Sequence, residues 1–378
     1  MNTFLDLCDP FRQGISSVPP DEDWNSISEL SKLHGVTAFL YYWARSLGIE
    51  LPEQLNREWL GHYLYQIAEE KKALSQIKEL KEILDHEGIP MILLKGASAI
   101  LRLYPQPGLR TFVDLDILIP ADKVSVFKRI MRMKGYKPLA TLTSPEDEDL
   151  QQFECHLDPF WKEENLMIEP HLSILGAGGN HLVALPEIWE EKEETKSNGI
   201  FVGHLSKEHF IIHSFLHCAN DLSFYGFIEI KGLIDVLLTL KTRGLDWLKV
   251  MDIIQKWGVE KDILPIIATL NRYWKADIPL KGKTESLDLK TLVLGVGYEK
   301  KHYYAKIPIG YIKRLFEMRE LPDARSRIRY LFHLFFPTQE NLRWRYNISS
   351  KRSILPYYFF HLLVQCRKFF MGLWYQSS

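Results

Sequence analysis

The feature that most constrains the fold is a change of period near Gly88. Before it, apolar residues recur at helical steps. Trp24, Ile27, Leu30 and Leu33 form one series, and Leu64, Ile67, Leu74, Ile77, Leu80 and Leu84 a second within residues 60–84. Steps of three and four place apolar side chains on one helix face. Gly88 and Pro90 stop that pattern. Met91-Ile92-Leu93-Leu94 then follows as a short apolar run, which reads as a buried strand. A chain that switches period in this way has to pack helices around a small sheet.

The middle of the chain continues in short pieces. Residues 97–104 read as a short helix, and Pro105, Pro107 and Gly108 as a loop. Residues 112–119 alternate apolar and acidic and then turn fully apolar, as a strand does. Residues 122–134 read as a helix closed by Gly135, and 141–149 as a polar loop. Residues 153–158 and 166–172 read as two strands joined by a turn at 162–165. A flexible loop is expected at 176–180. Beyond Ser206 the segments 210–218, 228–240 and 247–257 return to helical spacing, and 309–375 reads as helical, basic and aromatic. The expected class is α+β: a small mixed β-sheet core at 88–205, flanked by helical regions at 1–87 and 206–378.

Composition narrows the setting. With 46% hydrophobic and 25% charged residues, the 378-residue chain has the make-up of an ordinary folded protein. Its formal net charge of -1 gives no overall attraction to nucleic acid. Cys8, Cys155, Cys218 and Cys366 lack paired spacing, which argues against a zinc ribbon or a disulfide framework and for a reducing compartment. The N-terminus lacks a basic region followed by an apolar one, so no signal peptide is expected. No run reaches the ~18 apolar residues of a membrane span, the nearest being 354–366. A cytoplasmic location is the expectation.

The chemistry centres on Asp114 and Asp116. Residues two apart on a strand point to the same side. Two carboxylates set among Val113, Leu115 and Ile117 are costly unless a cation neutralises them. Mg²⁺ suits such oxygen ligands and brings phosphates as further ligands. A bare D-x-D also occurs on solvated strand edges, so its surroundings matter. Gly96 lies between a strand and a helix, where backbone N–H groups and a helix N-terminus favour phosphate. Ser98 adds a hydroxyl, Lys95 a positive charge, and Arg110 a guanidinium able to grip phosphate bidentately. Glu169 is the third acid, in the apolar run Leu166-Met167-Ile168-Glu169-Pro170-His171, where Pro170 suggests an edge strand or a bulge.

These residues resemble the nucleotidyltransferase superfamily of the DNA-polymerase-beta type, and more closely the bacterial "uncharacterised nucleotidyltransferase" family. That family's pattern is an L-K-G segment reaching a Tyr, a P-G-x-R turn, a D-x-D strand and a later acid-x-His. The chain reads Leu94-Lys95-Gly96 through Tyr104, Pro107-Gly108-Leu109-Arg110, Asp114-Leu115-Asp116 and Glu169-Pro170-His171. His34-Gly35, the helix with His213 and His217, and the helix with Asp235 also fit its layout. The chain departs from the superfamily at Ala97, where Gly or Ser is usual, in the longer loop 105–110, and at Glu169, where Asp is commoner.

The resemblance implies a Mg²⁺-dependent enzyme that moves a nucleoside monophosphate, AMP foremost, from a nucleoside triphosphate to a hydroxyl of a small molecule, peptide or protein. Asp114, Asp116 and Glu169 would be catalytic and hold one or two metal ions. Lys95, Gly96, Ser98 and Arg110 would bind the nucleotide, and His171 and His217 would line the pocket. Two other readings stand beside it: a transferase acting on RNA ends, and a nucleotide-binding protein without turnover.

Other groups have plainer readings. His209, His213 and His217, four apart, have a spacing that can share a metal. With no acid or cysteine to complete a zinc site, they read as a packed helix face. Asp235 reads as a buried structural partner, and Cys155, His156 and His181 receive no role. The C-terminal bases and aromatics suit a solvated helical subdomain, an RNA groove or an anionic membrane surface.

Overall fold

The computed structural model describes residues 1–10, 23–138, 157–174, 185–197, 199–279, 284–295, 323–337, 339, 342–343, 346, 348 and 352–376. The expected loops at 141–149 and 176–180, together with Cys155, His156, His181 and segment 309–322, lie outside them.

Among the described residues, the chain opens with the helices α1 (Asn2–Leu7), α2 (Trp24–Leu33), α3 (Thr37–Ser46) and α4 (Glu53–His86). Asp23 starts α2 by accepting the Asn25 and Ser26 N–H groups, which α2 would otherwise leave unpaired. The strands and helices of the middle are β1 (Ile92–Leu93), α5 (Lys95–Arg102), β2 (Asp114–Leu118), α6 (Val124–Met133), β3 (Lys137–Pro138), β4 (Phe160–Trp161), β5 (Met167–His171), α7 (Leu185–Glu190), β6 (Glu193–Ser197) and β7 (Ile200–His204). Then come α8 (Lys207–Tyr225), α9 (Ile230–Leu240), α10 (Trp247–Lys256), α11 (Glu260–Trp274), α12 (Leu289–Leu294), α13 (Ala324–Phe335) and α14 (Leu355–Gln376). The fold is α+β, as expected, with one mixed seven-stranded sheet in the order β3-β4-β5-β2-β1-β7-β6.

The chain divides into two compact units. The first is Met1–Ile117, Glu164–Leu166 and Ala184–Val296, and the second is Leu118–Glu163, Met167–Val183 and Gly297–Ser378. In the first, β1 runs parallel to β7, with Ile92 opposite Gly203 and Leu93 opposite His204. The β6–β7 hairpin was not expected from hydrophobic pattern, because Glu193, Glu194, Thr195, Lys196 and Ser197 are polar. The readable signal was Asn198-Gly199, the dipeptide that most favours a tight hairpin turn. Ser197 pairs with Ile200 on either side of it.

Buried Phe210, Ile211, Ile212 and Phe215 make α8 the axis of the first unit's core, and α9, α10 and α11 pack on it. His34 is fully buried, stacked between Phe4 at 5.4 Å and Phe227 at 4.8 Å. Its Nδ1 accepts the Ile230 N–H at 3.2 Å, so Nε2 carries the proton and donates to Val293 O at 2.9 Å. Gln76 on α4 holds Leu166 like a one-residue strand, its Nε2 donating to Leu166 O and its Oε1 accepting the Leu166 N–H, each at 2.8 Å.

In the second unit β3, β4 and β5 form an antiparallel ladder. Phe127 of α6 meets Phe160 edge-on, with ring centroids 5.6 Å apart. The strand expected at 153–158 is corrected where it can be seen: Leu157 and Asp158 are not in a strand, and β4 begins at Phe160. Leu157 donates its N–H to Pro170 O at 2.7 Å. Pro159 then has no N–H to continue a ladder. Further along, Leu342, Ile348 and Ile354 form a small core against Tyr346, Tyr357 and Tyr358.

Candidate active site

β1 ends at Leu93, and the chain turns directly into α5 through Leu94 and Lys95. Leu94 N–H donates to Asp116 O at 3.0 Å, which ties this turn to β2. Lys95 adopts φ 42°, a left-handed conformation uncommon for a residue with a side chain. Its ammonium lies 2.7 Å from Asp116 Oδ1, and both side chains are largely shielded from water. Strain of this kind persists where surrounding structure imposes it, and it gathers at functional sites. Gly96 follows in close quarters: a Cβ there would lie 3.1 Å from Phe112 Cβ and 3.7 Å from the Arg110 guanidinium.

Asp114 is half-buried and Asp116 buried, both on β2 and on the same side of it. On β5, Glu169 and His171 have the same spacing, and His171 Nε2 lies 3.4 Å from Glu169 Oε2. His171, expected only to line a pocket, is set beside Glu169. Nothing in hydropathy marks His171, but its two-residue spacing from Glu169 does.

Ser98 and Arg110 were expected to meet phosphate, and the structure engages both inside the protein. Ser98 is fully buried, with Oγ 2.9 Å from His204 Nδ1. Thr195 Oγ1 lies 2.7 Å from the ring's other nitrogen. Burial, and then the nearby Arg102 charge, hold His204 down at about 3, so it is neutral. Arg110 forks onto Asp235 instead of projecting outward. Burial lowers its pKa, but Asp235, Tyr104 and Glu229 together leave it raised. Asp235 is thus the buried partner that the sequence suggested. These two side chains hold α5 and the loop before β2 in place.

The α8 histidines divide. His209 Nδ1 lies 2.9 Å from the capping Ser206 Oγ, and its ring stacks on Trp257. His217 lies 3.6 Å from Asp221 one turn on. Burial first, then the Lys95 and His213 charges, push His217 well below its ordinary value, while Asp116 pulls the other way. His217 therefore sits within the electric field of the Lys95–Asp116 pair. Asp221 was missed. Burial, and then Glu229, push it up to about 7 against the pull of Lys95, Lys231 and Arg110. Its four-residue spacing from His217 was the available clue.

A family model described as "Uncharacterised nucleotidyltransferase" matches residues 20–275, and the chain belongs to that family. No curated protein matches it. Among solved structures it is similar to the antibiotic-resistance factor ANT(2'')-Ia in solution, with 13% identity and a TM-score of 0.36 over 51% of this chain and 94% of that one. It is also similar to an antigenic nucleotidyltransferase-like protein from Paracoccidioides brasiliensis, with 14% identity and a TM-score of 0.33 over 56% of this chain and 95% of that one.

Proposed function

We propose that the chain transfers a nucleoside monophosphate, AMP foremost, from a nucleoside triphosphate to a hydroxyl of a small molecule, peptide or protein. The observation that carries this reading is the shielded Lys95–Asp116 pair at the turn from β1 into α5, with Asp114 on the same side of β2, in a member of a nucleotidyltransferase family.

The donor set fits a hard divalent cation. Asp114, Asp116 and Glu169 offer carboxylate oxygens, which Mg²⁺ favours. His171 is a poorer ligand for Mg²⁺, and its 3.4 Å approach to Glu169 suits it to orient that carboxylate. A bound Mg²⁺ would supply charge neutralisation on the triphosphate and lower the pKa of the acceptor hydroxyl.

The chain's own residues do the rest. Lys95 offsets the buried Asp116 charge and is placed to exchange that partner for a phosphate oxygen. Gly96, at the start of α5, lets backbone approach phosphate closely. Ser98 and Arg110 position these groups from behind. His217 and Asp221 face the same charges and are placed to orient an acceptor or take up its proton.

The test is pyrophosphate release from labelled ATP and Mg²⁺, with a panel of hydroxyl acceptors. Release should be lost in Asp114→Ala and in Asp116→Ala. Unchanged release in either variant overturns the assignment.

A further inference from the structure

The feature that the transfer reaction leaves unexplained is α14. One of its faces packs inward. Ile354, just before the helix, is buried in the cluster with Leu342 and Ile348, and Tyr357 and Tyr358 lie against it. His361 is fully buried, with Nδ1 2.9 Å from Tyr346 Oη. At 100° per residue these positions fall on one side of the helix.

The other side is apolar as well, and it is in water. Leu355 is 74% exposed, Phe359 65%, Phe360 52% and Leu363 53%. Leu355, Phe359 and Leu363, four apart, lie opposite the packed face, and Phe360 flanks them with its ring edge-on to Tyr346. A helix that is apolar all round is ordinarily covered all round, and exposed apolar patches of this kind mark contact surfaces. The charges around this patch have one sign. Exposed Arg352 precedes the helix and exposed Arg367 lies on the same side as Leu363, while residues 355–376 contain no Asp or Glu.

We propose that this face of α14 seats the protein on an anionic lipid surface, lying in the interface without crossing it. Among the described residues no helix is long and apolar enough to span a membrane. Large apolar side chains that enter the acyl boundary, with arginines at headgroup level, are what an interfacial helix presents to anionic lipid. A second copy of the chain fits less well, because a self-paired face would bring Arg352 and Arg367 against their like. Nucleic acid fits less well too, since half of the face, Leu355 and Leu363, is aliphatic and offers no ring to a base beside Phe359 and Phe360.

The test is co-sedimentation of the full chain with vesicles of phosphatidylcholine, with and without phosphatidylglycerol. Binding should require phosphatidylglycerol, weaken as salt is raised, and be lost in Phe359→Ser/Leu363→Ser. These side chains are exposed, so that variant should keep the wild-type melting temperature. A second variant, Arg352→Gln/Arg367→Gln, should lose salt-sensitive binding while keeping the apolar face. The proposal is overturned if wild-type protein stays in the supernatant with anionic vesicles at low salt, or if Phe359→Ser/Leu363→Ser sediments as wild type does. It is also overturned if the apolar variant instead turns a dimer into a monomer in light scattering, or loses single-stranded RNA in a gel shift, with vesicle binding intact.

Discussion

Arg110 and Asp235 form a forked ion pair inside the first unit: Nε reaches both carboxylate oxygens at 3.0 Å and Nη2 reaches Oδ2 at 2.8 Å, with each side chain 5% exposed. Tyr104 Oη adds a third donor at 2.7 Å. Removing one partner leaves the other charge buried and unpaired. Arg110→Ala should therefore destabilise the fold by about 3–5 kcal/mol. Lysine cannot reproduce the fork, so Arg110→Lys should recover only part of that loss. Urea unfolding measures both, and an Arg110→Ala protein as stable as wild type contradicts this role.

Gly108 occupies a second position with no room for change. Its φ is +79°, and a Cβ there would come within 2.6 Å of Ile67 Cγ1 and 2.9 Å of the Ile67 backbone nitrogen. Its N–H donates at 2.7 Å to Glu70, a largely buried acid that burial pushes above its ordinary value. Gly108→Ala has to move helix backbone in α4 and adopt a left-handed conformation. We expect a loss of roughly 1–3 kcal/mol from backbone strain alone, read as a lower melting temperature.

The acids should separate by role. Asp116 faces Lys95. Asp116→Asn should lose both turnover and the Mg²⁺-dependent part of nucleotide binding. His171→Ala should act through Glu169. Losing a ligand's orienting partner typically costs ~10–100-fold in metal affinity or activity. Calorimetry with Mg²⁺ and a non-hydrolysable ATP analogue distinguishes the two, and equal metal affinity in wild type and His171→Ala argues against an orienting histidine.

Two groups should give opposite pH dependences of stability. His34 is held down at about 4 by burial, against backbone hydrogen bonding that raises it. Its ordinary value is 6.5, so the unfolded chain takes up a proton that the folded chain refuses. Stability falls as pH drops from 6.5 through about 4. Asp221 runs the other way, since its value rises from 3.8 to about 7 on folding. Its cost is absent below 3.8 and fully present above about 7. Asp221→Asn should therefore gain stability over wild type at alkaline pH and show no gain in strong acid. Urea unfolding across the pH range reads both slopes.

Much of the site was legible because its residues break local rules. Acids in the apolar runs of β2 and β5 stand out, and so does the turn that links β1 to α5. Asp235 was legible as a buried partner, but not that Arg110 is what it pairs with, and the pairing of Ser98 with His204 was not legible at all. Each pairing joins residues more than a hundred positions apart, and no periodicity reveals it. The β6–β7 hairpin escaped for a related reason. An edge strand facing water carries no apolar alternation, and its one signal is the turn.

The parallel pairing of β1 with β7 bears on how the protein assembles. Leu93 and the turn into α5 come early in the chain, but their neighbour His204 arrives only after β2, β5 and α7 have been made. The Ser98–His204–Thr195 chain of hydrogen bonds has to wait for the same event. Non-local parallel pairing of this kind is slow to form. During synthesis the apolar stretch around Ile92 is left uncovered on that edge until β7 emerges, which makes the nascent chain before residue 204 the form most exposed to aggregation.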